Sequence, residues 1–197
     1  MDVKAPLTPG AALGCQLMSG DMQMTAIGTL TYVDKDGEWL AFGHSIMDMG
    51  DAQMPAVSAY IHDIIPSMSF STKIGSPGLP VGALTRDGYF AISGKVGQPP
   101  HMVPLSISVA NGEKMQTFNV EVAKHPYLTN DLISSALSNA LLLSFPDPVD
   151  AMTRISFEIQ LEGGKRLNKQ DYFYSPYGVG ISPSFFVQDI LSLLSDN

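Results

Sequence analysis

The stretch TAIGTLTYVDKDGEWLAFGHS, residues 25–45, decides the fold of this chain. Its first nine residues are rich in β-branched and aromatic types, which favour strands. Asp36 and Gly37 then form a dipeptide typical of a tight hairpin turn, because glycine adopts the required positive φ without strain. The apolar segment EWLAF follows at once. The stretch therefore predicts an antiparallel hairpin whose second strand ends in a glycine and a histidine.

Two further glycine turns extend this pattern along the chain. Asp87-Gly88 lies between VGALT and YFAISGKV, and Asn111-Gly112 lies between MVPLSISV and TFNVEVA. The segment GSPGLP, residues 75–80, is expected to break the chain between strands, because proline lacks a backbone donor. Short strands joined by glycine turns predict antiparallel β structure over residues 25–125, rather than β-α-β units.

The hydrophobic period changes after residue 128. Apolar residues at 132, 133, 136, 137, 140 and 141 form a helical stripe, which predicts a helix at about 129–144 with Thr129 as its N-cap. TRISFEIQLEG, residues 153–163, alternates strictly and predicts a strand that ends at Gly163-Gly164.

A second helix is predicted at about 183–195, with Ser182 as its cap and Pro183 in its first turn. Its apolar stripe consists of Phe186, Val187, Ile190, Leu191 and Leu194. Such a stripe has to pack on its own chain or on a second copy, so a homodimer through this helix is one of the expected arrangements.

Composition excludes several classes of protein. The chain has 197 residues, 45% of them hydrophobic and 15% charged, which is typical of a globular protein. A net charge of −8, spread along the chain, argues against phosphate-mediated binding of nucleic acid. No apolar run approaches the roughly 20 residues of a membrane span. Cys15 is the single cysteine, so no intrachain disulfide is expected, and the first residues do not resemble a signal peptide.

Metal and cofactor motifs are not predicted. His44, His62 and His101, with Asp48 or Asp63, offer ligand types that bind metals, but their spacing matches no known ligand pattern. Six methionines between residues 18 and 54 could bind Cu(I) as soft ligands or fill irregular gaps in a core, and the core interpretation is favoured.

The segment AIGTLTYVDKDGEWLAFGHSIMD resembles the histidine segment of the SpoIVB-type serine peptidases, family S55. Gly28-Thr29 and Gly43-His44 carry the resemblance, which continues more weakly through KIGSPGLPVGALT and VPLSISVANGEKMQTFNVEVA and covers about residues 25–123. It implies a chymotrypsin-like antiparallel β-barrel, an extracytoplasmic location in a bacterium, and His44 in the position of the catalytic base.

A peptidase of this family also needs a serine in a Gly-x-Ser-Gly-x-Pro turn, and this chain does not contain that turn. KIGSPG, with Ser76, comes near it but lies only 32 residues beyond His44. YGVGISPSFF, residues 177–186, lies at about the right distance, but Gly180 takes the nucleophile's position there. The best remaining triad would consist of His44, Asp171 and Ser182.

Three functions follow from these residues. The first is an S55-like domain over residues 1–197, complete or part of a longer protein, which lacks its nucleophile and binds or scaffolds a peptide or protein partner. The second is an active serine endopeptidase that uses His44 as general base. The third is an assembly module that docks through its C-terminal helix. His44, with Asp48 and Asp51 nearby, is either a base or a histidine hydrogen-bonded within a tight loop.

Overall fold

The computed structural model of the protein describes residues 7–112, 114–145, 150–161, 163–179 and 181–195. Its contacts divide the chain into two compact units. The first unit consists of Met1–Leu105 and Asn119–Thr129, and the second of Ser106–Phe118 and Asn130–Asn197. The single domain expected over residues 1–197 stays a prediction.

Ten strands and two helices occur in the described part of the chain. The strands are β1 (Ala12–Gly20), β2 (Met24–Val33), β3 (Glu38–Ala41), β4 (Gly50–Ile65), β5 (Thr72–Gly88), β6 (Ala91–Val96), β7 (Met102–Asn111), β8 (Lys114–Ala123), β9 (Ala151–Gln160) and β10 (Arg166–Ser175). The helices are α1 (Thr129–Ser144) and α2 (Ile181–Ser195). The prediction of a mainly β protein with a late helix and a C-terminal helix is confirmed at this level.

Eight strands form one large sheet in the order β2-β3-β6-β5-β4-β1-β8-β7. β1 also pairs antiparallel with β2, in a register that runs from Ala12 opposite Thr29 to Gln16 opposite Thr25. Six strands, β1, β2, β3, β6, β5 and β4, are therefore linked by a closed cycle of pairings. Every one of these pairings is antiparallel, as the glycine turns predicted.

The predicted hairpin turns are present, but different residues form one of them. Gly37 has φ 83°, and the Asp34 carboxylate accepts the N–H groups of Asp36 (2.8 Å) and Glu38 (2.9 Å), which fixes the first turn. In the second hairpin, however, Asp87 and Gly88 still belong to β5, and Tyr89 and Phe90 form the turn. The Asp87 side chain is completely buried and accepts backbone N–H groups of the loop between β3 and β4.

The segment GSPGLP does not break the chain, contrary to expectation. β5 continues through this segment, and the register of its pairing with β4 shifts next to Pro77 and Pro80. The Ser58 hydroxyl accepts the Leu79 N–H at 3.0 Å and so replaces a backbone acceptor at this irregular point. A Cβ at Gly78 would lie 2.5 Å from that hydroxyl, so glycine is required for the strands to approach each other.

The core of the first unit is formed largely by side chains of the paired strands. Its largest fully buried apolar side chains are Leu13, Leu30, Met54, Leu84 and Ile92. β1 contributes to this core from most of its positions, so its sequence lacks the alternation that identifies a half-buried strand. For that reason the sequence did not predict it.

The second unit contains most of α1, α2 and the two-stranded sheet β9–β10. β9 alternates between half-buried and exposed residues along its length, as predicted. Its partner β10 is mostly polar and exposed, and the sequence did not predict it. Phe186 of α2 packs against the rings of Phe157 and Phe173, with centroids 6.1 and 5.4 Å away. The stripe of α2 therefore contacts its own chain.

The N-termini of the two helices differ in detail from expectation. The Thr129 hydroxyl accepts the backbone N–H of His125 at 2.7 Å, so it stabilises the turn before α1 rather than capping the helix. α2 begins at Ile181, two residues before the predicted start, so Ser182 lies inside its first turn.

Candidate functional site around His44

The loop between β3 and β4, residues 42–49, presents His44 and has an unusual backbone. Phe42, Gly43, Asp48 and the following Gly50 all have positive φ, at 73°, 77°, 56° and 75°. Two of these residues are not glycine, and a positive φ is uncommon for any residue with a side chain. Strained conformations of this kind persist only where the surroundings enforce them, and they concentrate at functional sites.

A tight turn at Phe42 begins the loop. The Gly43 N–H donates to the Ala41 carbonyl at 2.9 Å across Phe42, which is the geometry of the rare γ-turn with positive φ. The Phe42 N–H donates to the Thr29 carbonyl at 2.9 Å. A Cβ at Gly28 would overlap the Phe42 ring, so glycine at that position makes room for the aromatic side chain.

The buried Asp87 carboxylate binds the rest of the loop through three hydrogen bonds. Its Oδ1 accepts the Ile46 N–H at 2.7 Å, and its Oδ2 accepts the N–H groups of Met47 (2.8 Å) and Met49 (3.3 Å). Hydrogen bonds to an ionised acceptor are stronger than those between neutral groups. One buried carboxylate, some 40 residues further along the chain, therefore fixes three backbone groups of the histidine loop.

Two further titratable groups lie close enough to Asp87 to interact with its charge. Burial, and secondarily the Asp87 carboxylate, raises the pKa of Cys15 to about 12, so this thiol stays protonated and unreactive. Burial lowers the pKa of His125, and Asp87 opposes that shift. The His125 Nδ1 accepts the Tyr127 N–H at 3.2 Å, so the ring is neutral with its proton on Nε2.

The His44 ring is exposed and hydrogen-bonded to its own loop. Its Nδ1 lies within hydrogen-bond distance of the Ser45 carbonyl, which can only accept, so Nδ1 carries a proton and, in the neutral ring, Nε2 is the accepting nitrogen. The Phe42 ring is tilted against it at a centroid distance of 5.9 Å. In a Ser-His-Asp triad a carboxylate accepts the hydrogen bond of the Nδ1–H group, whereas here a backbone carbonyl occupies that position.

The acidic residues near His44 in sequence have separate surroundings. Asp48 is exposed, with its backbone in the left-handed region. Asp51 is exposed at the start of β4 and lies 3.6 Å from the Arg86 guanidinium. The carboxylate that supports the loop is Asp87, which the sequence pattern had assigned to a turn.

The other two predicted triad residues belong to the second unit. Asp171 is exposed on β10 opposite Ile155, and its carboxylate accepts the N–H of Tyr172 at 2.8 Å. Ser182 is exposed in the first turn of α2, and Gly180 lies outside the described residues. The role of His44, Asp171 and Ser182 as a catalytic triad stays a prediction.

A long hairpin arm is the feature that sequence reasoning missed. We define the arm as residues 60–76, the distal part of β4 and β5 with their connection. Within the described chain, no third strand pairs with residues 59–65 or 72–77. Its exposed large hydrophobic side chains are Tyr60, Ile64, Ile65, Met68, Phe70 and Ile74. Met68 and Phe70, two large apolar residues in the connection between the strands, were the available signal.

Thr29 links the arm to the base of the histidine loop. Its backbone carbonyl accepts the Phe42 N–H, and its hydroxyl accepts a hydrogen bond from the Lys73 ammonium of the arm at 2.6 Å. The Gly28-Thr29 pair, noted in the sequence as part of a motif, thus has a physical role. Glycine admits the Phe42 ring and threonine bonds to two separate segments.

Metal sites and membrane-spanning helices are both absent from the described ranges. No group of three or more His, Cys, Asp or Glu side chains there could hold a metal ion. None of the helices there is both long enough and apolar enough to cross a membrane.

Comparison with known proteins yields no relative. No protein-family model, no curated protein and no solved structure matches the chain. Function is therefore inferred from the residues of this chain and from their geometry.

Proposed function

We propose that the protein is a domain of the S55 type that lacks a serine nucleophile and binds a peptide or protein partner. The closed cycle of six antiparallel pairings supports a chymotrypsin-like barrel, because a sheet that returns to its first strand is what barrel closure requires. The loop that carries His44 sits on this ring of strands through Thr29 and Asp87.

The environment of His44 supports a role without peptide hydrolysis. A catalytic histidine is oriented by a carboxylate on Nδ1 and hydrogen-bonded to a nucleophile on Nε2. In this chain the Nδ1 proton faces the Ser45 carbonyl, and the buried Asp87 is occupied by three backbone N–H groups. The buried carboxylate beside the loop therefore binds backbone N–H groups rather than the His44 ring.

The exposed arm is the observation that carries the binding function. It presents six large apolar side chains to solvent and contains one Asp and one Lys, within a chain of net charge −8. Large apolar side chains exposed together in one segment are typical of interaction sites in soluble proteins. Within the described chain no third strand pairs with residues 59–65 or 72–77, so an extended peptide can add there as a further strand.

A matched pair of substitutions tests the binding function. Extended peptides selected from a displayed random library would be titrated against the protein by fluorescence anisotropy. Met68→Ser, on the arm, should weaken binding about 10-fold, since it removes roughly 1–2 kcal/mol of apolar contact. Met115→Ser removes another exposed methionine, from β8, and should leave affinity unchanged. Equal affinity in both variants, or the absence of any selected peptide, would contradict binding through the arm.

Hydrogen exchange separates strand addition from other ways of binding. A bound peptide that pairs with the edge of β4 should protect backbone amides of residues 59–65 from exchange. Protection confined to residues 181–195 would instead favour the assembly function, in which α2 docks on a second copy. The homodimer through α2 and the extracytoplasmic location implied by the resemblance remain parts of the proposal.

One observation favours the second candidate, an active serine endopeptidase. Nδ1 of His44 carries the proton, so the exposed Nε2 is free to act as a general base, which is the tautomer a serine peptidase needs. Casein cleavage by the wild-type chain and by His44→Ala decides between the two functions. We expect no cleavage by either protein. Cleavage that disappears in His44→Ala would establish the peptidase and make Ser182→Ala the next variant.

A further inference from the structure

The arm holds a histidine and a serine in an arrangement that the S55 resemblance does not account for. In the β4–β5 ladder Ile61 lies opposite Gly75 and Asp63 lies opposite Ile74, so His62 is an extra residue on β4. Such a bulge redirects the side chain of the extra residue and is frequent beside active sites. Here the redirected side chain is an imidazole.

The His62 ring lies next to the hydroxyl of Ser76 on the neighbouring strand β5. His62 Nε2 and Ser76 Oγ are 2.7 Å apart, and both residues are exposed. The Tyr60 ring packs edge-on against the imidazole at a centroid distance of 5.0 Å, which restricts its rotation. A base held at hydrogen-bond distance from a hydroxyl is the arrangement by which proteins activate a serine.

The backbone on both sides of Ser76 is closely constrained. A Cβ at Gly75 would lie 2.7 Å from the Tyr60 carbonyl, so only glycine allows the two strands this approach. Pro77 follows directly, and its ring fixes φ. Gly78 then abuts Ser58, whose hydroxyl accepts the Leu79 N–H. The serine is therefore presented from a stiff segment, although it lies on an exposed arm.

We propose that Ser76 is an acyl-acceptor site that His62 activates. In the step, Ser76 Oγ attacks the carbonyl carbon of an activated ester while His62 Nε2 takes the hydroxyl proton. The bond between the carbonyl carbon and the alcohol oxygen breaks, and the released alkoxide receives the proton from His62. The products are an ester on Ser76 and a free alcohol, and no oxidant, metal or cofactor takes part.

The experiment uses p-nitrophenyl acetate with the full chain. Release of p-nitrophenol is followed by absorbance, and the acetylated residue is located by mass spectrometry of proteolytic peptides. We expect one acetyl group on Ser76, none there in Ser76→Ala, and a reaction about 100-fold slower in His62→Gln, because a positioned base contributes roughly 10²–10⁴-fold.

Ser108 provides an internal control. It is exposed on β7 and hydrogen-bonded to Thr117 at 2.9 Å, but its partner is a hydroxyl rather than a base. Acetylation of Ser108 as fast as that of Ser76, or an unchanged rate in His62→Gln, would overturn the proposal. Asp51→Asn, an exposed substitution outside both the arm and the His44 loop, should leave the rate at Ser76 unchanged whether or not peptides bind the arm.

Discussion

The substitution Asp87→Asn tests whether one buried carboxylate holds the histidine loop. Asp87 accepts three backbone N–H groups, at 2.7, 2.8 and 3.3 Å, and its side chain is completely buried. Asparagine has nearly the same shape but carries an NH₂ group in place of one oxygen. In either orientation that group faces a backbone N–H, so at least one of the three hydrogen bonds is lost.

The expected loss of stability follows from the lost bond and the lost charge. A hydrogen bond to a charged group contributes roughly 1.5–3 kcal/mol and one between neutral groups roughly 1 kcal/mol. Losing one bond and weakening the other two, with some relief from removing a buried charge, should lower the free energy of unfolding by roughly 2–4 kcal/mol. The effect should centre on residues 46–49.

Urea unfolding measures this change directly. The single tryptophan, Trp39, is buried in β3, so its fluorescence reports unfolding of the first unit. Hydrogen exchange at the amides of Ile46, Met47 and Met49 reports the loop itself. Asp51→Asn is the control, because this exposed carboxylate makes only a surface ion pair and should change stability by less than about 0.5 kcal/mol. An Asp87→Asn protein as stable as this control would refute the anchoring role.

Three further predictions concern other parts of the chain. Because the pKa of His125 is lowered in the folded protein, only the unfolded chain binds a proton there as the pH falls below the usual histidine value of about 6.5, so stability should fall. The urea midpoint should therefore decrease from pH 7.5 to pH 5.5, and it should decrease less in His125→Gln. Gly28→Ala should cost roughly 1–3 kcal/mol by overlap with the Phe42 ring, and the double variant with Phe42→Ala should recover part of that loss in thermal unfolding. Deleting residues 183–197 should lower the melting temperature, because Phe186 packs on β9 and β10; an unchanged melting temperature with loss of a dimer in size-exclusion chromatography would instead make α2 an interface.

Several elements were predictable because their causes lie within a few residues. Asp36-Gly37 makes a turn through positive φ at Gly37, whatever surrounds it. The alternation of β9 and the apolar stripe of α1 come from the geometry of a single strand or helix, and their boundaries agree closely with prediction. The histidine loop was also located from sequence, because a glycine and a histidine end an apolar strand.

The incorrect predictions have a different cause, because the roles of those residues depend on partners far along the chain. Asp87 looked like a turn residue because Asp-Gly usually forms turns, but the backbone donors of residues 46, 47 and 49 determine its role. GSPGLP was predicted to end a strand because proline has no backbone N–H to donate. The strand continues, however, and the Ser58 hydroxyl accepts the Leu79 N–H at that point. Neither partner is visible from the local sequence.

The sequence by itself thus determined the mainly antiparallel β class, the two helices and the position of the His44 loop, because turn chemistry and hydrophobic period act locally. Only the tertiary structure decided which strands close the cycle, which carboxylate supports the loop and which described residues of β4 and β5 pair with no third strand. It also brought His62 and Ser76, fourteen residues apart in sequence, to 2.7 Å. These features depend on strand register, and a single bulged residue changes which side chains meet across two strands.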